Sequence, residues 1–421
     1  VIAALRRELR FMLGEPALRA WLLVVLLLSS AAVAAGLHEV SMQRATLVQL
    51  LELDRAEREA QVARQTEWGS AGYNTFHLTY DPPSPFAFAA LGERDTMPWK
   101  HRIRMLALEG QIHESDVGNP ELALAGRLDI AFVAAFLLPL LIIVALHDLQ
   151  ARERQAGRHD LLRTMAGGEL WMLRAGLRGV ALGACVLVPM WMGGAISGAS
   201  AVTLLGASGI VMLQAVFWSA MCLACASLGR SAATTLALLV AAWWLLAVMV
   251  PYGSRAMVER SVPMPDGARI ALVQREAVHG AWDLPKEATM AAFTRAYPEW
   301  AEHAEVTRPF EWKWYYAFQE VGDLEAADLS RRYREGIARR DRLAARWAWL
   351  SPPALVERAL QRLAATDVPA HLRYLDSVRG FHAALREFHY PKLFLEQSFD
   401  PALATALPSY TPPRMSPPPA R

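Results

Sequence analysis

The chain has 421 residues, 54% of them hydrophobic and 20% charged, with a formal net charge of +2 and a mean hydropathy of +0.18. That balance excludes whole-chain disorder and is more apolar than a soluble globular protein, which carries about 25% charged residues. The near-neutral charge supplies no field for nucleic acid, and three cysteines exclude a disulfide-rich secreted scaffold.

In chain order, residues 2–13 come first. Leu5, Leu9, Met12 and Leu13 fall on one side of a helix and Arg6, Arg7 and Arg10 elsewhere, the pattern of a short amphipathic helix on a membrane surface. Five apolar runs follow, at 20–37, 130–147, 179–196, 201–228 and 232–251, none containing Asp, Glu, Lys or Arg. Each approaches or exceeds the roughly 20 residues needed to cross hydrocarbon. Arginines flank them unevenly. Arg6, Arg7, Arg10 and Arg19 precede the first run, six arginines from Arg152 to Arg178 separate the second from the third, and Arg230 sits between the fourth and fifth. If every run spans once, these three segments share a side, and the positive-inside rule makes it cytoplasmic.

That topology places residues 38–127 and 254–421 outside. The first span is expected to continue as a helix to about Trp68-Gly69, with a loop beyond it punctuated by Asp81-Pro82-Pro83-Ser84-Pro85 and the chain returning at Asn119-Pro120. Helical stretches are expected at 285–297, 324–349 and 352–388, with Leu329, Tyr333, Ile337, Leu343 and Trp347 as an inward stripe. The 262–266 segment reads as a loop and the Pro-rich end from Pro408 as an extended tail. Trp312, Trp314, Tyr315, Tyr316 and Phe318 fit a core better than a recognition patch.

No Walker-type phosphate loop, zinc-protease motif or nucleophile elbow occurs, so no catalytic residue, cofactor site or metal site is assigned to this chain. Cys222 and Cys225 lie inside the fourth run and read as packing residues. His382 and His389, a heptad apart and without other ligands nearby, read as surface residues. Within the spans, Gly179 and Gly183, and Gly194 and Gly198, allow close helix approach, and Pro139 and Pro189 are placed to kink the second and third spans.

The most informative stretch is 148–174, DLQARERQAGRHDLLRTMAGGELWMLR. A charged helix follows the second span, Gly157 interrupts it, a short amphipathic piece covers 160–165, and Gly167-Gly168 ends that piece. Here Arg152-Glu153-Arg154-Gln155-Ala156-Gly157 resembles the E-R/K-E-x-G-T-L segment of type-2 ABC exporter permeases, departing from it at Arg158-His159. The resemblance continues at 83–92, at 126–133, at 350–355 and at 363–367 with His371 and Phe381-His382, and points to a subfamily with large periplasmic helical insertions. It implies an all-α polytopic membrane protein of the bacterial inner membrane. Five transmembrane helices are visible, and a sixth, C-terminal span expected from the family is absent from this chain. The implied organisation is a first span with its amphipathic helix (1–37), a periplasmic segment (38–127), spans two to five (128–253) and a second periplasmic segment (254–421). It further implies an ATPase-coupling site at Arg152, Glu153, Arg154, Gly157, Leu161 and Leu162. The implied partners are two copies of a separate ATPase that binds ATP and Mg, a second permease identical or homologous to this chain, membrane lipid and a periplasmic protein, with no nucleic acid. A non-transporting membrane scaffold or sensor, binding a partner through its outer domains, is the alternative from a different class.

Overall fold

The computed structural model describes residues 2–113, 128–166, 169–404 and 406–413, without the side chains of 2–4 and 166. Asn119-Pro120, Gly167-Gly168 and the tail from Arg414 onward lie outside the described residues. Among the described residues the protein is mainly helical, with five helices long and apolar enough to cross a membrane.

Glu15-Pro16 separates α1 (Ile2–Gly14) from α2 (Pro16–Ala63), because a proline at the first turn of a helix loses no bond that the helix needs. Met12 of α1 turns inward together with Glu8, while Leu5, Leu9 and Leu13 stay exposed, so Met12 does not share the leucine side expected for it. At 48 residues, α2 is about 70 Å long, more than twice the roughly 30 Å of a hydrocarbon core. Helix α5 (130–146) lies at the centre of the apolar bundle. It packs against α2, α8 (Glu169–Ser197), α9 (Ala201–Ser227) and α10 (Ala232–Ser261). Its segment is 61% buried, whereas that of α10 is 17% buried and lies at the periphery. Two short helices, α6 (Ala151–Gln155) and α7 (His159–Ala166), connect α5 to α8.

The opposite end of the bundle carries a second body. The first extended helix ends at Ala63 rather than at Trp68-Gly69. Trp68 instead opens α3 (Trp68–Asn74), where its buried ring meets Phe388 and Phe399. The region expected as a loop contains an antiparallel hairpin, β1 (His77–Tyr80) and β2 (Lys100–Ile103), with His77 opposite Ile103 and Tyr80 opposite Lys100, followed by α4 (Leu108–His113).

Around these lie α11 (Gly267–Gly280), α12 (Lys286–Ala296), α13 (Trp312–Ala348), α14 (Pro352–Ala364) and α15 (Val368–Phe394). Helix α11 was not among the expected stretches, and α13 begins twelve residues before the expected start, because the aromatic run Trp312–Phe318 forms its first two turns. Trp314, Tyr316 and Phe318 are buried there with Phe293, Tyr390 and Phe394, as expected of a core. The inward stripe of α13 is made of small residues. Gly322, Ala326, Ser330 and Gly336 are buried, whereas Leu329, Tyr333, Ile337, Leu343 and Trp347 are half-buried, because α11 and α4 approach too closely for large side chains. The expected single stretch over 352–388 is two helices. Ala365 adopts φ 54° and ends α14, and Asp367 caps α15 by accepting the Ala370 amide.

Candidate functional site

At the end of the bundle where α1 lies, the sequence places acids in an arginine-rich setting, and the fold brings them together. Glu153, on α6, is buried and pairs with Arg158 at 2.9 Å and with Arg174 of α8 at 3.7 Å. Arg174 donates to Glu8 of α1 at 2.7 Å. One turn along α8, Arg178 donates to Glu15 at 2.7 Å and to the Ala145 carbonyl of α5 at 3.0 Å. Arg152 also pairs with Glu15. Arg154 reaches the carbonyls of Ala226, in the last turn of α9, and of Arg230, between α9 and α10, both at 3.3 Å.

The arrangement joins α1, α2, α5, α6 and α8 through buried charges. Removing one partner from such a pair costs about 3–5 kcal/mol, because the other charge is left unpaired in a desolvated place. The end of α6 is held as firmly. Gly157 has φ 67°, its amide donates to Arg154 O and that of Arg158 to Glu153 O, each at 3.0 Å, the double bond pattern of a glycine-closed helix terminus. Past that turn, Leu161 and Met165 of α7 are 60% and 78% exposed, while Leu162 packs partly against the bundle core.

Of the expected coupling residues, Glu153 and Arg154 therefore face protein, Arg152 is half in solvent while pairing with Glu15, Gly157 makes the turn, and Leu161 is presented outward. Glu8, Glu15, Arg174 and Arg178 complete the network and were not singled out in the sequence. For the arginines a signal was present in their four-residue spacing, which places both on one face of α8, whereas Glu8 and Glu15 lie on either side of the break between α1 and α2 and had none.

The expected packing residues divide by role. A Cβ on Gly179 would lie 2.1 Å from Ser219 Oγ, and one on Gly183 would lie 2.9 Å from Met212 Sδ, so both let α8 and α9 approach closely. Gly194 does the same against Leu204. Gly198 has no close neighbour; its φ of 80° makes the turn between α8 and α9. Pro189 is carried inside a continuous α8.

Pro139 follows a π turn over Val133–Leu137, and Pro251 follows another over Leu245–Met249. Prolines cannot donate, so carbonyls near them are left for side chains. Gln214 donates to Ala135 O at 3.3 Å, Trp243 to Phe136 O at 3.2 Å and Ser351 to Leu246 O at 2.6 Å. Helix α14, which starts just after Ser351, packs on both π turns and on α9, and so links the second body to three of the five long helices.

The second body holds many buried ionisable groups. His382 and His389 are buried rather than on the surface, because α15 runs through the core of this body. Burial lowers the pKa of His77, His382 and His389 to about 3, and that of His101 and His371 to about 4. Glu109 shows the opposite balance. Burial alone would raise it, but hydrogen bonds from His113 and Arg379 outweigh that and hold it at about 2. Among the described residues no cluster of three or more His, Cys, Asp or Glu suits a metal ion.

Residues 268–412 match the family model described as a domain of unknown function, DUF3526. The match begins in α11 and runs past α15, so it covers the helical half of the second body and none of the five long apolar helices. No curated protein and no solved structure matches the chain.

Proposed function

We propose that the chain is the permease subunit of an ATP-driven exporter of the type-2 ABC class, set in a bacterial inner membrane with its second body on the periplasmic side. It would work with two copies of a separate ATPase and a second permease. The observation that carries this reading is α7. The helix leaves Leu161 and Met165 exposed, yet α6, which precedes it, is fixed through Glu153 to α8 and α1. A helix with an exposed apolar tip on a stiff base is what a soluble motor needs to push. The arginine asymmetry supports a place for it on the cytoplasmic face.

In this reading the ATPase binds α7 differently in its nucleotide states, and that difference in affinity supplies the free energy of the conformational change. Displacement of α7 pulls on Glu153, which moves Arg174 and the base of α8, and Arg152 and Arg178 carry it to α2 through Glu15. At the far end, the π turns beside Pro139 and Pro251 are the points where α5 and α10 bend at least cost, and α14 passes the bend to the outer body.

Purification of the full chain from its native membrane in a mild neutral detergent tests this. A nucleotide-hydrolysing subunit is expected in stoichiometric amount, and Leu161→Glu, at an exposed position, is expected to release it without lowering the thermal stability of the permease. Isolation of the intact chain with no such subunit would favour a scaffold or sensor.

A further inference from the structure

We propose that a groove on the second body, between the 262–265 loop and α13, binds small amphiphilic anions: molecules with one carboxylate or phosphate on a short apolar body. The groove encloses about 460 Å³, within the range of roughly 300–1,000 Å³ typical of ligand sites. Val262, Met264 and Leu329 supply apolar wall, and Arg269, Arg332 and Arg339 supply three guanidinium groups. Glu335 is the one carboxylate among the lining residues.

The groove is built rather than incidental. Gly336 is buried beneath it, and a Cβ there would lie 2.6 Å from Met264 Cγ, so Met264 lies flat on the backbone of α13. Pro263 and Pro265 restrict the loop on either side of Met264, and Arg340 anchors it by donating to Val262 O at 3.0 Å. Such fixing removes part of the ordering cost of binding.

The charges are not used up by the fold. Arg332 is held by Asp328 at 2.8 Å, but the guanidiniums of Arg269 and Arg339 make no ion pair or hydrogen bond among the described residues. The nearby carboxylate of Asp266 is turned to cap α11 at the Ala268 amide. Two unpaired guanidiniums, with Arg332 already balanced by Asp328, against one lining carboxylate leave a net positive groove, and planar guanidiniums suit carboxylate and phosphate in particular. The apolar wall beside them selects for a hydrocarbon tail. The groove begins at Val262, where α10 ends, and eleven residues, about 16 Å of helix, separate it from Pro251 at the end of the apolar run. Binding here requires neither an ATPase nor transport.

The test is calorimetric titration of the full chain, in a neutral detergent, with octanoate and with octyl phosphate. Octylammonium, acetate and inorganic phosphate are titrated alongside. Both octyl anions are expected to bind saturably and to lose at least tenfold in affinity in the Arg269→Glu, Arg339→Glu double variant. Both positions are exposed, so the thermal unfolding of that variant should match the parent. Detergent partitioning is common to both proteins and cancels in the comparison. Equal binding by parent and variant, or binding of octylammonium as tight as that of octanoate, would overturn the anion site. Acetate and phosphate binding as tightly as their octyl counterparts would overturn the amphiphile assignment.

Discussion

Arg178→Met tests the buried charge network at its best-connected point. The side chain is buried, donating to Glu15 at 2.7 Å and to the Ala145 carbonyl at 3.0 Å. Breaking a buried pair costs about 3–5 kcal/mol, and an orphaned buried acceptor costs about 1–3 kcal/mol more. Glu15 keeps Arg152 as a partner, so its charge is not left alone. The expected loss is then near the bottom of the summed range, about 4 kcal/mol. Glu15→Gln alone should cost about 2 kcal/mol, because Arg178 retains the Ala145 carbonyl. Since both changes break the same contact, the double variant should be more stable than the sum of the single losses by about 2 kcal/mol. Tryptophan fluorescence during denaturant unfolding in neutral detergent reads all four proteins. Losses that add within about 0.5 kcal/mol would show that Arg178 and Glu15 do not act as a pair, and the stiff base proposed for α7 would lose its support.

Three further outcomes are expected. Gly179→Leu places side-chain atoms where Ser219 Oγ already stands, so α8 and α9 must separate, at a cost of about 1–3 kcal/mol or more in the same unfolding assay; a neutral effect would contradict the packing described. Ser351→Ala removes the donor to Leu246 O and should cost about 1–2 kcal/mol, with the loss seen as earlier release of α14 in hydrogen exchange. Acid should destabilise the second body. Its five buried histidines titrate at about 3 to 4 when folded and at about 6.5 when unfolded, so below pH 6.5 the unfolded chain binds more protons, and stability falls until pH 3 to 4. Each histidine contributes at most about 1.4 kcal/mol per pH unit. Asp323 and Glu357, each raised by burial to about 7, act in the opposite sense, as two groups against five. A Tm that rises from pH 7 to pH 5 would contradict this balance.

The five long helices were legible because a span leaves a signal that needs no partner: about twenty residues without charge. Gly157 and the end of α6 were legible for a related reason, since a helix-ending glycine is a local event. What the sequence hid depends on distance in the chain. Glu153 looked like a docking charge because nothing local shows that Arg174 and Glu8 surround it. The strands His77–Tyr80 and Lys100–Ile103 are four residues each, too short for alternation to show, and they stand because Tyr374 bonds the His101 ring at 2.7 Å from far along the chain. His382 and His389 looked exposed because their spacing fits a surface face as well as a core face. The aromatic run at 312–318 was read as core, but its helical period was obscured by apolar residues on every side of the first turns.

The proposed function requires α7 to meet a motor, and contact at α7 can be read in living cells. Met165→benzoylphenylalanine places a photocrosslinker at a position that is 78% exposed. On irradiation it should form one dominant adduct, with a nucleotide-binding cytoplasmic polypeptide, and the adduct should weaken in a Leu161→Glu background. Adducts to periplasmic proteins, or none to any ATPase, would contradict the account.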